Sequence, residues 1–461
     1  MDKRIPPVAI VGAGLAGLVA ARELRRRNIP VTVFEAGKQV AGLAQSFRDD
    51  EGFTYDTGAH FITNRLAQEI GVAAQCRTVC YYGESVVRGA RTYTYPFGLL
   101  RSPRYVLSAL AAHGGWRGAK RPPRTAAEWF RAEYGERLAD EIAIPLVEAW
   151  SGALATELSA AVGAKFPGGV AHSAWLKAAS RLTGRAIANG YCREQPESVR
   201  VWHVYPEGGV SLLCEYLATE LADVIHLESP VQAILVERDR AVGVRIGGKD
   251  HEAAAVISTA PVHILGKLVQ GTSVLSHLTR FRYRPMVFIN LRLAGRGLLP
   301  DVVTWTPESR YPFFRLTEAT GSMPWLAPPG KTMITVDIGC SVGDGIWTMS
   351  DEQLGAFCVE HMEPIVRDIR QRYLGCHVVR TPIAYPVFLT EYEEERQRLA
   401  QSTGVAGLYS IGRNGEFAHI LMEDVYWRTR AQVDVLTQTM ALPRSSDIPP
   451  SRLMRDRVSA S

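Results

Sequence analysis

The feature that most constrains this chain is a glycine string set between two apolar stretches near its start. Residues 8–12 (Val8-Ala9-Ile10-Val11-Gly12) read as a short buried strand, residues 15–27 carry helical spacing, and Val31-Thr32-Val33-Phe34-Glu35 reads as a parallel return strand. Gly12-Ala13-Gly14-Leu15-Ala16-Gly17 spans the strand-to-helix turn. There the first glycine permits the tight turn, the second lets backbone approach a pyrophosphate, and the third lets helix pack on strand. The helix N-terminus then faces a diphosphate. Glu35 ends the second strand about twenty residues on, placed to accept from ribose hydroxyls and to repel a 2′-phosphate. A dinucleotide site follows, with FAD and NAD both open on this motif alone.

At 461 residues the chain exceeds what one core accommodates, so two or more joined domains are expected. An apolar fraction of 46% and a charged fraction of 21% set aside disordered, coiled-coil and collagen-like classes. A net charge of +5 without a long basic run points away from nucleic acid. The arginines between 22 and 27 read as the solvated face of the first helix. Seven cysteines without a Cys-x-x-Cys pair suggest neither a disulfide framework nor a zinc site, and reduced thiols fit a cytoplasmic protein. The apolar stretch 8–21 is too short to span a membrane and is broken by glycines, unlike a signal peptide; peripheral membrane contact stays open.

Residues 41–60 read as loop, short strand and turn, with Asp49-Asp50-Glu51-Gly52 supplying hairpin chemistry. Between 76 and 200 helical spacing dominates, at 125–134, 136–150 and 154–162. Strand patterns return at 231–237, 241–246 and 254–258 as a meander. Residues 286–293 and 332–339 read as long strands, 351–373 as a helix, and 420–439 as the last helix. The tail 441–461 is polar, carries Pro449-Pro450, and is expected to be disordered.

The residues after Glu35 favour FAD. The stretch from Gly37 to Gly42, then Ser46-Phe47 and Gly52-Phe53-Thr54-Tyr55-Asp56-Thr57-Gly58-Ala59-His60, resembles the segment that follows the acid in amine-oxidase-like flavoproteins. In that family a second glycine turn touches the diphosphate, and a Gly-x-His or Gly-Pro turn runs under the flavin. The family usually carries Gly-Gly-Arg where this chain has Ala41-Gly42-Leu43, so that arginine has no counterpart. Further patches extend the resemblance from residue 8 to about 430, to the clan of protoporphyrinogen oxidases, monoamine oxidases, phytoene desaturases and UDP-galactopyranose mutases. Glu128-Trp129-Phe130 through Leu158-Ser159 is similar to the helical insertion of the protoporphyrinogen oxidases. Tyr311-Pro312-Phe313-Phe314-Arg315 and Tyr385-Pro386 resemble the mutase branch, and Leu408 through Met422 resembles both.

The resemblance implies an α/β fold. A discontinuous Rossmann-like FAD-binding domain of the glutathione-reductase kind would take 1–75, 200–285 and 380–440, with a helical insertion at 76–199 and a mixed α+β substrate-binding region at 286–379. It implies non-covalent FAD held by Gly12, Ala13, Gly14, Leu15, Ala16, Gly17, Glu35, Ala36, Gly42, Leu43, Gly58, Ala59, His60, Val231, Gly412, Arg413, Leu421 and Met422. Arg413 can pair with phosphate or the flavin oxygens, or cap the final strand. Three residues stand out for catalysis. Arg315, after an aromatic run, suits a substrate carboxylate or phosphate, or else a strand-end salt bridge. His60 lies against the flavin or is a hydrogen-bonded structural histidine. Tyr385 closes the substrate cavity or simply packs. Lys331, in Pro328-Pro329-Gly330-Lys331, reads as a turn residue rather than a lysine at the flavin.

The expected function is that of an FAD-dependent oxidase or dehydrogenase. It would take hydride from a C–H next to C or N in a small organic metabolite and pass electrons to oxygen or another acceptor. A reduced-FAD, non-redox mutase acting on a nucleotide sugar and a catalytically degenerate flavin-binding protein are the alternatives, since one scaffold hosts all three. No nucleophilic triad, metal cluster or Walker loop competes for the role.

Overall fold

In the computed structural model, which describes residues 6–89, 91–95, 97–100, 102–116, 122–165 and 170–441, the glycine string joins the strand Val8–Val11 to the helix Leu15–Arg26. The strand is third in a five-stranded parallel sheet ordered Ile225–His226, Val31–Phe34, Val8–Val11, Ala255–Ser258, Leu408–Ser410. Parallel strands covered on both faces have no solvent side, which is why Val8–Val11 is buried throughout and reads as an unbroken apolar run. Leu15–Arg26 packs against the helices Leu212–Thr219 and Met422–Ala441. One correction follows from that packing. Arg22 is not on a solvated face: it is 2% exposed and donates to the carbonyl oxygens of Ile70 and Glu69 and to the Tyr426 hydroxyl, at 3.1, 3.4 and 3.2 Å.

A second sheet has seven strands in the order Tyr373–Pro386, Tyr283–Ala294, Lys331–Gly339, Arg315–Thr317, Val303–Trp305, Glu84–Arg88, Arg91–Tyr95. Alternation sorts its side chains onto two faces. Val287, Ile289, Leu291 and Leu293 share an apolar cluster with Leu354, Cys358, Val359 and Met362 of the helix Asp351–Met362. Each such burial is worth roughly 1.5–3 kcal/mol. Met286 and Phe288 have the opposite parity and join the cluster that reaches Val11, Phe34 and Val256 of the parallel sheet. Asp337 pairs in register with Phe288, Arg315 with Asp337, and Trp305 with Arg315, so these four side chains share the face turned toward the nucleotide fold.

The stretch 76–199, read as mostly helical, opens instead with strands. Cys76–Thr78 pairs with His203–Pro206, and the hairpin Glu84–Arg88 with Arg91–Tyr95 forms one edge of the seven-stranded sheet. Residues 154–162 are not an α-helix. Left-handed Gly152 ends the helix Ile144–Ser151. The backbone then bonds at long range: Ser159 N–H donates to Phe388 O at 2.7 Å, and Leu158 O accepts from Ala126 N–H at 2.8 Å. The helix expected over 351–373 stops at Met362 because Pro364 has no N–H to extend it, and the chain enters the strand at Tyr373. The hairpin of Ser46–Arg48 with Thr54–Asp56 and the last helix Met422–Ala441 follow their patterns. The expected disordered tail lies, after Ala441, outside the described residues. No helix among the described residues is long and apolar enough to cross a membrane.

Candidate functional site

The turn expected to cradle a diphosphate is built from backbone. Gly12 has φ +101°, and a Cβ at Gly17 would lie 1.9 Å from the Gly12 carbonyl oxygen, so only glycine lets the helix sit this close to the turn. The helix Leu15–Arg26 starts at Gly14 with no side-chain cap and no acidic residue in its first turn, which leaves its N–H groups for an anion. Ala41 N–H donates to Ala13 O at 3.0 Å, and Gly42 lies against Gly14, so Ala41-Gly42-Leu43 borders the same turn. Ala41 takes a left-handed φ of +87°, a conformation that favours glycine. Gly412 packs on Ala16: a Cβ there would lie 2.6 Å from the Ala16 Cβ.

Glu35 directly follows the next strand beside this turn. Its carboxylate accepts from the N–H groups of Ala13 and Gly37, each at 2.8 Å, which fixes it beside the glycine turn. Glu228 N–H donates to Gly37 O and Ser229 N–H to Glu35 O, bringing Val231 and Ala36 into the same corner. The glycines, uncapped helix start and fixed acid fit a dinucleotide whose ribose is unphosphorylated.

The other end of the groove holds side chains. Gly58 lies against Phe288, with a Cβ position 3.2 Å from the ring, so the Gly58-Ala59-His60 turn sits under the charged face of the seven-stranded sheet. Arg315 Nη2 and Asp337 Oδ2 are 2.5 Å apart, and Asp337 is fully buried. Burial works against the Arg315 cation, but Asp337, with Tyr385 and Tyr82, outweighs it and holds the guanidinium pKa above its ordinary value. Arg413 donates to Ile420 O at 2.9 Å and Ala384 O at 3.3 Å and lies 5.3 Å above the Tyr385 ring. Among the described residues it has no carboxylate within ion-pair distance, so its charge is available to a ligand. Burial lowers the proton affinity of His60, Asp56 partly restores it, and Arg413 and Arg315 lower it further. His60 is held neutral.

Aromatic rings wall this cluster. Trp150, Tyr385 and His419 meet with centroids 5.1 to 5.5 Å apart. On another side Phe61, Tyr82, Tyr191 and His203 interlock, and Glu84 accepts from Tyr82 OH at 2.7 Å and Trp305 Nε1 at 2.8 Å. Thus His60, Arg315, Tyr385 and Arg413, from four separate stretches, come together. Met422, at the start of the last helix, is half-buried and Leu421 is exposed. Lys331 pairs with Glu51 at 3.3 Å, six residues or about 20 Å along the strand from Asp337, and is not part of the cluster. Sequence reasoning missed Asp337, although a lone acid inside Thr332-Met333-Ile334-Thr335-Val336-Asp337-Ile338 was a signal. Trp150, His419, Tyr82 and Tyr191 carried none, since their meeting depends on tertiary packing.

The profile of the family described as flavin containing amine oxidoreductase matches residues 15–426. Protoporphyrinogen oxidase 2 of Arabidopsis thaliana is 46% identical over 56 residues, 12% of this chain and 11% of that protein. The chain spans only about a tenth of the length of the curated relatives it matches. A reduced UDP-galactopyranose mutase superposes with a TM-score of 0.77 at 18% identity, over 98% of this chain and 97% of that one. A putrescine oxidase bound to putrescine superposes with a TM-score of 0.66 at 14% identity, over 94% and 99%. At these identities the two structures speak for the fold alone. The match over most of its length shows that the chain belongs to the family of flavin containing amine oxidoreductases, with an α/β fold and FAD as its cofactor.

Proposed function

We propose that this protein is an oxidase or dehydrogenase that takes hydride from a C–H next to N or C in a small organic metabolite. The observation that carries this reading is the convergence of His60, Arg315, Arg413 and Tyr385 at the end of the groove beyond the Gly58 turn. FAD supplies the two-electron acceptor. With an amine, hydride leaves from carbon and a proton from the adjacent N–H passes to neutral His60. Arg413, and Arg315 held rigid by Asp337, orient an electron-rich or anionic group, and the aromatic walls exclude water. Oxygen or another acceptor then removes the electrons.

A second reading is favoured by the two arginines, which together carry more positive charge than Asp337 cancels. Such a site suits a sugar nucleotide diphosphate turned over without net redox change. One experiment separates the two: anaerobic mixing of the FAD-loaded protein, oxidised or dithionite-reduced, with a panel of amines, amino acids, other small metabolites and sugar nucleotides, followed by flavin absorbance and product analysis. Bleaching by a panel member supports the oxidoreductase. Turnover only after dithionite, without net change in flavin oxidation state, supports the mutase-like enzyme. A flavin that responds in neither way overturns both.

A further inference from the structure

Asp56 ends the strand Thr54–Asp56, four residues before His60, and is 7% exposed. A carboxylate there is costly unless it is hydrogen-bonded and paired. Its Oδ1 accepts from Ser46 Oγ at 2.6 Å and Val210 N–H at 3.4 Å, and its Oδ2 accepts from the Tyr205 hydroxyl. Among the described residues no lysine or arginine lies within ion-pair distance. The basic group that does is His60, whose Nδ1 is 3.8 Å from Asp56 Oδ2. That nitrogen is itself buried and has no hydrogen-bond partner. Asp56 is the charged group that favours a proton on His60, alongside the Gly58 backbone.

We propose that Asp56 is a positioning residue for His60, holding the imidazole with its Nδ1–H toward Oδ2 so that the Nε2 lone pair faces the substrate side. It also offsets part of the charge when Nε2 takes a proton. The proposal rests on the reading of His60 as proton acceptor. The charged groups that face His60 are Asp56, Arg413 and Arg315. Both arginines oppose an imidazolium, and the carboxylate favours it. Tyr205 moderates the carboxylate, because its hydroxyl takes up part of the negative charge. A purely structural role predicts something different. Ser46 Oγ also accepts from Ser211 N–H at 2.9 Å, so Asp56 helps tie the hairpin to the glycine turn at 206–209, and its loss would then act by loosening that joint.

Ring-nitrogen NMR of the FAD-loaded protein, with the His60 signal assigned through His60→Gln, distinguishes these roles without any substrate. The expected result is the Nδ1–H tautomer, with a His60 pKa that falls by on the order of one unit in Asp56→Asn and rises in Tyr205→Phe. Loosening would move both variants the same way. The Nε2–H tautomer, or shifts of equal sign, or no shift, overturns the proposal. If Asp56→Asn does not take up FAD, the Tyr205→Phe titration decides alone: a rise supports the proposal, a fall or no change contradicts it. With a reducing substrate in hand, Asp56→Asn slows flavin reduction by about 10- to 100-fold. In the His60→Gln background it adds little, whereas an independent role adds its full effect. A substrate panel that fails leaves the NMR result standing, so failure of the functional reading and failure of this one are told apart.

Discussion

The two sheets use opposite chemistry. The five-stranded parallel sheet presents backbone to its ligand: glycines, free N–H groups and one acid at a strand end. The seven-stranded sheet presents side chains, with Asp337 buried and Arg315 half-buried on the face turned toward the parallel sheet and Glu84 bound near its edge. The first therefore tolerates change wherever the backbone path is kept, and the second depends on a charge balance that a single substitution upsets.

The largest effect expected tests the first half of that contrast. Gly17→Val drives a side chain into the Gly12 carbonyl, and the purified protein should carry no flavin, read as the ratio of flavin to protein absorbance. A flavin-replete variant would show that the cradle is not where the diphosphate binds. Next, Asp337→Leu strands the Arg315 cation, with an expected loss of about 3–5 kcal/mol in denaturant unfolding. Arg315→Met combined with Asp337→Leu should recover most of it, because the pair then becomes an apolar contact. Failure to recover would mean that the ion pair itself, rather than an orphaned charge, holds the sheet.

These two sites were unequally legible in the sequence. Gly12 to Glu35 is local, with each residue's role following from its place in a strand–helix–strand unit. Arg315 could be named from its aromatic neighbours, but its partner Asp337 lies a strand away, and whether a salt bridge or a ligand contact awaited it was open. The salt bridge is there, and Asp337 fixes the arginine beside the groove; the ligand contact is part of the proposal. The strands Glu84–Arg88 and Arg91–Tyr95 escaped notice because five residues next to helical runs give too short an alternation, and the strand that ties their hairpin into the sheet, Val303–Trp305, is more than two hundred residues away. The arginine missing at Leu43 was plain from the sequence. Ala41, forced into a left-handed turn beside it, was not.

Acid provides a smaller effect, outside both sheets. His203, 1% exposed, lies on the central strand of a separate three-stranded sheet, and burial pushes its pKa down from 6.5 to about 4, against a bond to Ile62 O. The unfolded chain takes up this proton near pH 6.5 and the folded one near pH 4. Stability is therefore full above 6.5 and is lost as pH falls toward 4, by about 3 kcal/mol. Denaturant midpoints across that range should flatten in His203→Gln, and an unchanged slope would refute the assignment. The smallest effect is a gain: Ala41→Gly relieves the left-handed strain, raising stability by at most about 1 kcal/mol by thermal unfolding. A loss would mean that the buried methyl outweighs the strain.

The central claim, that the backbone cradle and the charged sheet face grip opposite ends of one cofactor, is tested most directly by a crystal structure of the FAD complex. The diphosphate should sit on the N–H groups at the start of Leu15–Arg26, with the isoalloxazine in contact with the Gly58-Ala59-His60 turn and its open face toward Arg315 and Tyr385. A flavin ring that lies away from His60, or a diphosphate off the glycine string, would contradict it.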